Sequence, residues 1–276
     1  AVWTGGALSF GNGNNRNGRS SADFTTSGLS MGADRRISDR FALGAGVGYG
    51  HDSSDVGNKG SHSSVDSYSV ATYASWRPSR NTYLDGLVGY QWLSLDARRF
   101  VTGNGNTVNG SRDGRQLFAS LALGYEHRSE TLLLSPYARL DVADATLDGY
   151  TEQGRVGDTL TYDEQKLRTS TGNLGLRSEY LIKTDHGSWL PGARIEFQRD
   201  FQGSNAATLR YSDLLSGPAY SASLRDQSRS RTLLGIGAPF QSTSGWLFRF
   251  EYQFLYDTQG GDAQPILTGA EKKSLP

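Results

Sequence analysis

Hydrophobic and polar residues alternate with a period of two along most of this chain. In the segment 245–256 the even positions are aromatic, and the odd positions include Arg249, Glu251 and Gln253. The segments 41–50, 116–126, 132–142 and 190–201 alternate in the same way. Successive residues of a β-strand point to opposite faces, so the pattern predicts strands with one apolar and one polar face.

Eleven segments fit this pattern clearly, at about 1–10, 23–36, 40–51, 64–77, 82–97, 113–128, 131–146, 166–183, 188–201, 223–240 and 245–258. Single-chain bacterial barrels close with an even number of strands, so a twelfth strand is expected from 263–275. That segment alternates poorly, and a C-terminal extension is the alternative.

The breaks between these segments are alternately short and long. The short breaks are 37–40, 78–80, 129–130, 184–187 and 241–244, and the long polar ones lie near 11–22, 53–64, 98–112, 147–165 and 203–222. The sequence therefore predicts an all-β fold, a transmembrane antiparallel barrel of about twelve strands with short periplasmic turns and long extracellular loops.

The choice between a soluble and a membrane barrel depends on which face is outside. The segments are long enough for the roughly 9–11 residues that cross a bilayer. Aromatic residues collect near the segment ends, as in the belts at membrane interfaces, at Trp76, Tyr90, Trp92, Tyr180, Trp189, Trp246 and Tyr256. We therefore expect the apolar face to contact lipid.

The amino-acid composition excludes several classes of function. The chain has no cysteine, which excludes disulfides and thiolate sites, and its 28 basic and 28 acidic residues give no basic excess for nucleic acid. Its 35 glycines and 11% aromatic residues are typical of close-packed β-structure. Nothing near Ala1 has the form of a signal peptide, so we expect a mature fragment.

Short motifs resemble a known family. MGADRRISDRFALGAGVGYGHDSSD (31–55), VDSYSVATYASWRP (65–78) and LSPYARLDVADATLDGYTE (134–152) resemble strands of autotransporter β-domains. VWTGGALSFGNGNN (2–15) resembles the strand that follows the pore helix of that family. Such domains usually end on an aromatic residue, whereas this chain ends at Pro276.

The resemblance implies a single translocator domain, 1–276, in the bacterial outer membrane. Its partners would be outer-membrane lipid, its own N-terminal passenger and plug helix, the outer-membrane assembly machinery and periplasmic chaperones. It would export the passenger to the cell surface, with no cofactor and no catalytic activity of its own. The alternative is a stand-alone outer-membrane porin or adhesin.

The candidate site is a set of charges that the alternation sends inward. They form opposite-sign pairs two residues apart, Asp34/Arg36, Glu126/Arg128, Arg139/Asp141, Arg177/Glu179, Arg194/Glu196 and Arg249/Glu251, and Arg229 and Arg231 add positive charge. One interpretation is that the pairs neutralise each other and hold the barrel's shape. The other is that they also contact the plug helix or the passenger. The inward glycines of 41–50 would leave room for a plug, or would serve close packing.

Catalytic and metal patterns are weak. The four histidines lack metal-ligand spacing, although His51 and His62 could meet at the base of one loop. A barrel hydrolase would need acid and histidine groups at the external rim, where only His51 and Asp52 are adjacent. We therefore expect no catalytic, cofactor-binding or metal site.

Overall fold

The structure is a computed structural model that describes residues 1–13, 22–57, 60–202, 205–213, 219–224, 230–257 and 261–272. Its strands are β1 (Val2–Gly13), β2 (Ala22–Ser38), β3 (Phe41–Val56), β4 (Ser61–Trp76), β5 (Thr82–Phe100), β6 (Thr107–Tyr125), β7 (His127–Arg128), β8 (Leu132–Leu147), β9 (Tyr150–Thr151), β10 (Leu160–Tyr162), β11 (Gln165–Tyr180), β12 (Ile182–Thr184), β13 (Gly187–Trp189), β14 (Gly192–Asp200), β15 (Asn205–Tyr211), β16 (Tyr220–Leu224), β17 (Ser230–Gly237), β18 (Phe240–Ser242), β19 (Trp246–Asp257) and β20 (Gly261–Lys272). No helix in the described ranges is long and apolar enough to cross a bilayer.

Twelve long strands form a closed antiparallel barrel in the order β1–β6, β8, β11, β14, β17, β19, β20. The barrel closes because β20 pairs with β19 on one side and with β1 on the other, where Val2 lies opposite Lys272. The expected fold class is confirmed. Residues 273–275 of the segment expected as the last strand lie outside the described residues, as does Pro276.

The side chains divide between the two faces as the alternation predicts. On β14 the Phe197 side chain is 47% exposed on the outside, whereas its neighbour Glu196 is 1% exposed on the inside. The outward row of β19 is aromatic, and Trp246, Phe248 and Phe250 remain 40–52% exposed. Exposed apolar rows on the outside of most barrel strands form the surface that a bilayer would cover.

The external connections contain more strand than the sequence predicts. The segments expected as loops at 53–64 and 98–112 are largely strand, because β3 continues to Val56, β4 begins at Ser61, and β5 and β6 approach a turn at 101–106. The connections 148–164 and 201–229 contain β9, β10, β15 and β16, which form a second, four-stranded sheet. Strands beyond the membrane meet water on both faces, so they need no apolar face. Their backbone pairing therefore continues without the apolar alternation from which strands are predicted.

Glycines on the inner face make room for aromatic rings from neighbouring strands. A Cβ on Gly44 would lie 2.3 Å from the Tyr73 ring, and one on Gly46 would lie 3.2 Å from Trp3. Trp3 extends along the wall and donates its indole N–H to the Tyr73 hydroxyl. The space at Gly44 and Gly46 is therefore filled by this barrel's own rings, which favours the close-packing interpretation over room for a plug.

Candidate functional site

A buried charge network on the inner wall joins β8, β11 and β14. The Glu196 side chain, which is fully buried, accepts hydrogen bonds from Tyr137 Oη at 2.5 Å, Arg139 Nη2 at 3.2 Å and Gln198 Nε2 at 2.7 Å. Gly175 of β11 lies between Tyr137 and Glu196 in the register. Because Gly175 has no side chain, groups on β8 can reach across one strand to the carboxylate.

The same network includes a second carboxylate. Asp141 accepts from Arg139 Nε at 2.9 Å, from Asn173 Nδ2 at 2.7 Å and from Ser120 Oγ at 2.6 Å. Arg139 therefore bridges two acidic groups, Asp141 and Glu196. Every charge in this network has a partner of opposite sign, as burial requires.

Another pair of bridges lies on the wall formed by β14, β17, β19 and β20. Arg194 reaches across β17 to Glu251 at 2.9 Å, passing Gly235, whose added Cβ would lie 2.7 Å from that carboxylate. Arg249 pairs with Glu271 of the neighbouring strand at 2.9 Å. Each arginine thus binds a carboxylate on another strand.

Glu126, just beyond the periplasmic end of β6, has three arginines around one carboxylate. Arg77, Arg128 and Arg177 approach it at 3.2, 3.6 and 3.7 Å, and Arg177 also lies 3.6 Å from Glu179. The Glu126 side chain is only 10% exposed. This group links the end of β4, the β6–β7 segment and β11 at the rim of the barrel.

The remaining residues of the predicted inward set differ in their contacts. The Asp34 carboxylate lies near the Ala1 nitrogen at 3.3 Å and accepts from Tyr73 Oη at 3.4 Å. Arg36 follows on the same face and forms no ion pair among the described residues. Arg231 occupies an inward position of β17, opposite Gln198, and Arg229 lies outside the described residues.

The expected pairing between residues two apart holds for only half of the six pairs. Arg139/Asp141, Arg177/Glu179 and Arg128/Glu126 lie within 2.9–3.6 Å. The charges of Asp34/Arg36, Arg194/Glu196 and Arg249/Glu251 do not pair with each other. Positions two apart along a strand are separated by about 6.6 Å, whereas opposite Cβ atoms on paired strands are about 5 Å apart, so cross-strand partners compete well.

Sequence reasoning missed several inner-wall residues. It did not single out Arg77 or Glu271, although both complete ion pairs, or Asp85, whose Oδ1 is buried without a hydrogen-bond partner. A cavity of about 550 Å³ includes Asp34, Asp85, Arg139, Arg249 and Glu271 in its lining. The alternation of faces along each strand could have placed Asp85 and Glu271 on the inner wall. The ion-pair partner of Arg77, in contrast, is known only from the closed barrel.

The histidine and aspartate residues considered as candidates at the external rim do not come together in the structure. His51 lies 2.9 Å from Asp66 and His62 lies 2.8 Å from Asp55, at different levels on β3 and β4. Asp52 points to the opposite face from His51 and accepts a hydrogen bond from Thr26. Because adjacent strand residues alternate in direction, His51 and Asp52 cannot act together. Within the described ranges, no group of three potential ligands is placed to hold a metal ion.

The external sheet is attached to the inner side of the β5–β6 hairpin. Arg99 binds Glu152 with two hydrogen bonds of 2.9 and 2.6 Å, and the Glu152 side chain is 4% exposed. Tyr150 stacks on Tyr162 with ring centroids 4.7 Å apart and lies under Arg112. The hydrogen bonds that Arg99 donates to the Glu152 carboxylate raise the pKa of Arg99, and burial raises the pKa of Tyr150 to about 12.

Comparison with known proteins identifies the family. The model of the autotransporter β-domain matches residues 2–253. The chain belongs to the autotransporter β-domain family. The resemblance noted in the sequence and the outer-membrane location expected from it are therefore confirmed.

Curated relatives match at moderate identity. The chain is 29% identical to the probable autotransporter YpjA of Escherichia coli over 233 residues, which are 80% of this chain and 15% of that protein. It is 27% identical to the esterase EstA of Pseudomonas aeruginosa over 163 residues, 57% of this chain and 25% of that one. The β-domain thus spans a quarter or less of these relatives.

Solved structures show the same fold. The translocator domain of NalP from Neisseria meningitidis superposes with a TM-score of 0.77 at 18% identity, covering 98% of this chain and 87% of that one. The β-domain of the Bordetella autotransporter BrkA gives 0.76 at 18% identity, covering 99% and 98%. These are barrels of translocator type, which is not an enzyme class.

Proposed function

We propose that this barrel anchors an N-terminal passenger in the outer membrane and exports it to the cell surface. The observation that carries the proposal is the inner wall, where charges of both signs face inward inside a barrel with an apolar exterior. A wall in which neither sign dominates suits an extended polypeptide of any composition, because it attracts no single charge strongly.

The position of β1 supports an inner path for a preceding segment. Ala1 lies at the periplasmic end of the barrel, and its nitrogen donates to the Asp34 carbonyl at 2.8 Å. The Asp34 side chain belongs to the inner face. A polypeptide joined before Ala1 would therefore start beside the inner rim, where Asp34 and Arg36 are available to contact it. The fourteen inward residues expected from the sequence are the proposed lining of this path. Thirteen of them are proposed contacts for the plug helix and passenger, and the buried Glu196 holds Arg139 in place.

A fusion tests this function. A signal peptide, a protease-sensitive reporter and a helical linker are joined before Ala1, and protease is added to intact cells. We expect cleavage of the reporter from outside while the barrel remains folded. A matched fusion whose reporter is locked by disulfides is expected to remain inside. A folded barrel that leaves the unlocked reporter in the periplasm would contradict the proposal.

A second test addresses the inner wall. Replacing Arg194 and Arg249 with glutamate would turn a balanced wall strongly acidic, and we expect slower export of an acidic reporter than of a basic one. The parent barrel should treat the two reporters alike. Equal export of both reporters by the variant would contradict the proposal that the charge balance of the inner wall affects export. The proposal gives the barrel a transport role and no catalytic role.

A further inference from the structure

A cluster of arginines without acidic partners lies at the periplasmic rim, beside two neighbouring turns. The last part of β2 contributes Arg35, the β2–β3 turn contributes Arg40 and the β4–β5 turn contributes Arg80. The turns are in direct contact, because the Arg77 amide donates to the Arg40 carbonyl at 2.7 Å. In the described part of the chain Arg35, Arg40 and Arg80 form no ion pair, and all three are exposed. We call these three residues the rim arginines.

The position of Arg35 indicates what this cluster meets. Arg35 is an outward residue of β2 that lies opposite Leu43 on β3. Ile37, Leu43 and Trp76 around it are outward too, at 60%, 47% and 47% exposure. Trp76 is an interfacial aromatic residue of the kind found at lipid headgroup depth. The Arg35 guanidinium is thus directed to the boundary between acyl chains and headgroups.

An unpaired arginine at that boundary favours an anionic headgroup. The planar guanidinium binds phosphate oxygens with two hydrogen bonds, while its aliphatic stem lies along apolar surface. Above Arg35, outward residues including Met31, Ala33, Ala45 and Val47 line a shallow apolar groove of about 770 Å³ on the outer wall. This groove would receive the acyl chains of a lipid whose headgroup lies at the rim.

We propose that the rim arginines form a binding site for an anionic phospholipid of the periplasmic leaflet, such as phosphatidylglycerol. The headgroup phosphate lies between Arg35, Arg40 and Arg80, and the acyl chains extend along the outer wall of β2 and β3. A protein partner is a weaker fit, because Arg35 faces lipid rather than the periplasm. The site is independent of passenger export.

Tryptophan quenching tests the site directly. The purified barrel is placed in vesicles of phosphatidylethanolamine containing increasing brominated phosphatidylglycerol, and quenching of Trp76 is isolated by comparison with Trp76→Phe. Each basic residue near an anionic surface contributes about five-fold in binding. We therefore expect brominated phosphatidylglycerol to quench Trp76 at a lower fraction than brominated phosphatidylethanolamine does.

Matched variants separate this site from general charge. Arg35→Gln should weaken the preference for phosphatidylglycerol about five-fold, and the triple glutamine variant of the rim arginines about 100-fold. Arg36→Gln removes the same charge from the same strand on the inward face, and should change the preference little. Heat-dependent migration in gels confirms that each variant is folded.

Three outcomes would overturn the proposal. The first is equal quenching by both lipids in the parent barrel. The second is an equal loss from Arg35→Gln and Arg36→Gln, which would reduce the effect to net charge. The third is an unchanged lipid preference in a triple variant that assembles poorly in cells, which would assign the arginines to a protein partner instead.

Discussion

Removal of the Glu196 carboxylate is the sharpest test of the inner wall. Glu196→Ala deletes three hydrogen bonds, from Tyr137, Arg139 and Gln198, in a place where the glutamate side chain is fully buried. Breaking a buried ion pair by removing one partner costs about 3–5 kcal/mol. In this variant Arg139 still has its ion pair with Asp141 at 2.9 Å, and the Arg139 side chain is 29% exposed to solvent. We therefore expect a loss in the lower part of that range.

The measurement is equilibrium urea unfolding of the barrel in phospholipid vesicles, followed by tryptophan fluorescence. Glu196→Gln keeps the volume and one acceptor oxygen, so it should cost less than alanine. Glu179→Ala is the matched control, because Glu179 is 23% exposed and its arginine lies 3.6 Å away. The control should lose about 1 kcal/mol or less. Equal losses for Glu196→Ala and Glu179→Ala would refute the argument from burial.

The remaining predictions concern packing and the external sheet. Gly44→Ala should destabilise the barrel by about 1–3 kcal/mol, because the new methyl group meets the Tyr73 ring at 2.3 Å, whereas Gly86→Ala meets its nearest atom at 3.8 Å and should cost little. Glu152→Gln removes a buried bidentate partner, and limited proteolysis should then cut the external sheet faster while the barrel stays intact. For Tyr150, burial raises the pKa in the folded barrel from its ordinary value of 10.0 to about 12, so its contribution to stability is present below pH 10 and lost as pH rises through 12. The tyrosinate absorbance of the parent minus that of Tyr150→Phe should rise near pH 12, and a rise near pH 10 would contradict the burial.

The external sheet shows where sequence reasoning reached its limit. The segments 147–165 and 203–222 are polar and carry no apolar alternation, so the sequence predicted loops there. In the fold, β10 pairs with β15 although 42 residues separate Tyr162 from Asn205. No local pattern specifies such a pairing, since it depends on the closed barrel bringing two distant connections together.

The inner wall shows the same division at the level of single residues. The period of two was sufficient to place Arg194, Glu196 and Arg249 inside and Phe197 outside, because a strand alternates its faces wherever it pairs. The period of two was not sufficient to predict which charged side chains form ion pairs with each other. Arg194 binds Glu251 because Gly235 lies between them, and that neighbour is known only once register and strand order are known.

The amino-acid sequence by itself determined the strands that cross the membrane, their two faces and the family, since alternation and turn chemistry are local properties. The tertiary structure alone decided which charges pair, which glycines receive rings and how the external connections fold. Those features depend on side chains that meet across strands, and their distances are set by barrel closure and register rather than by spacing along the chain.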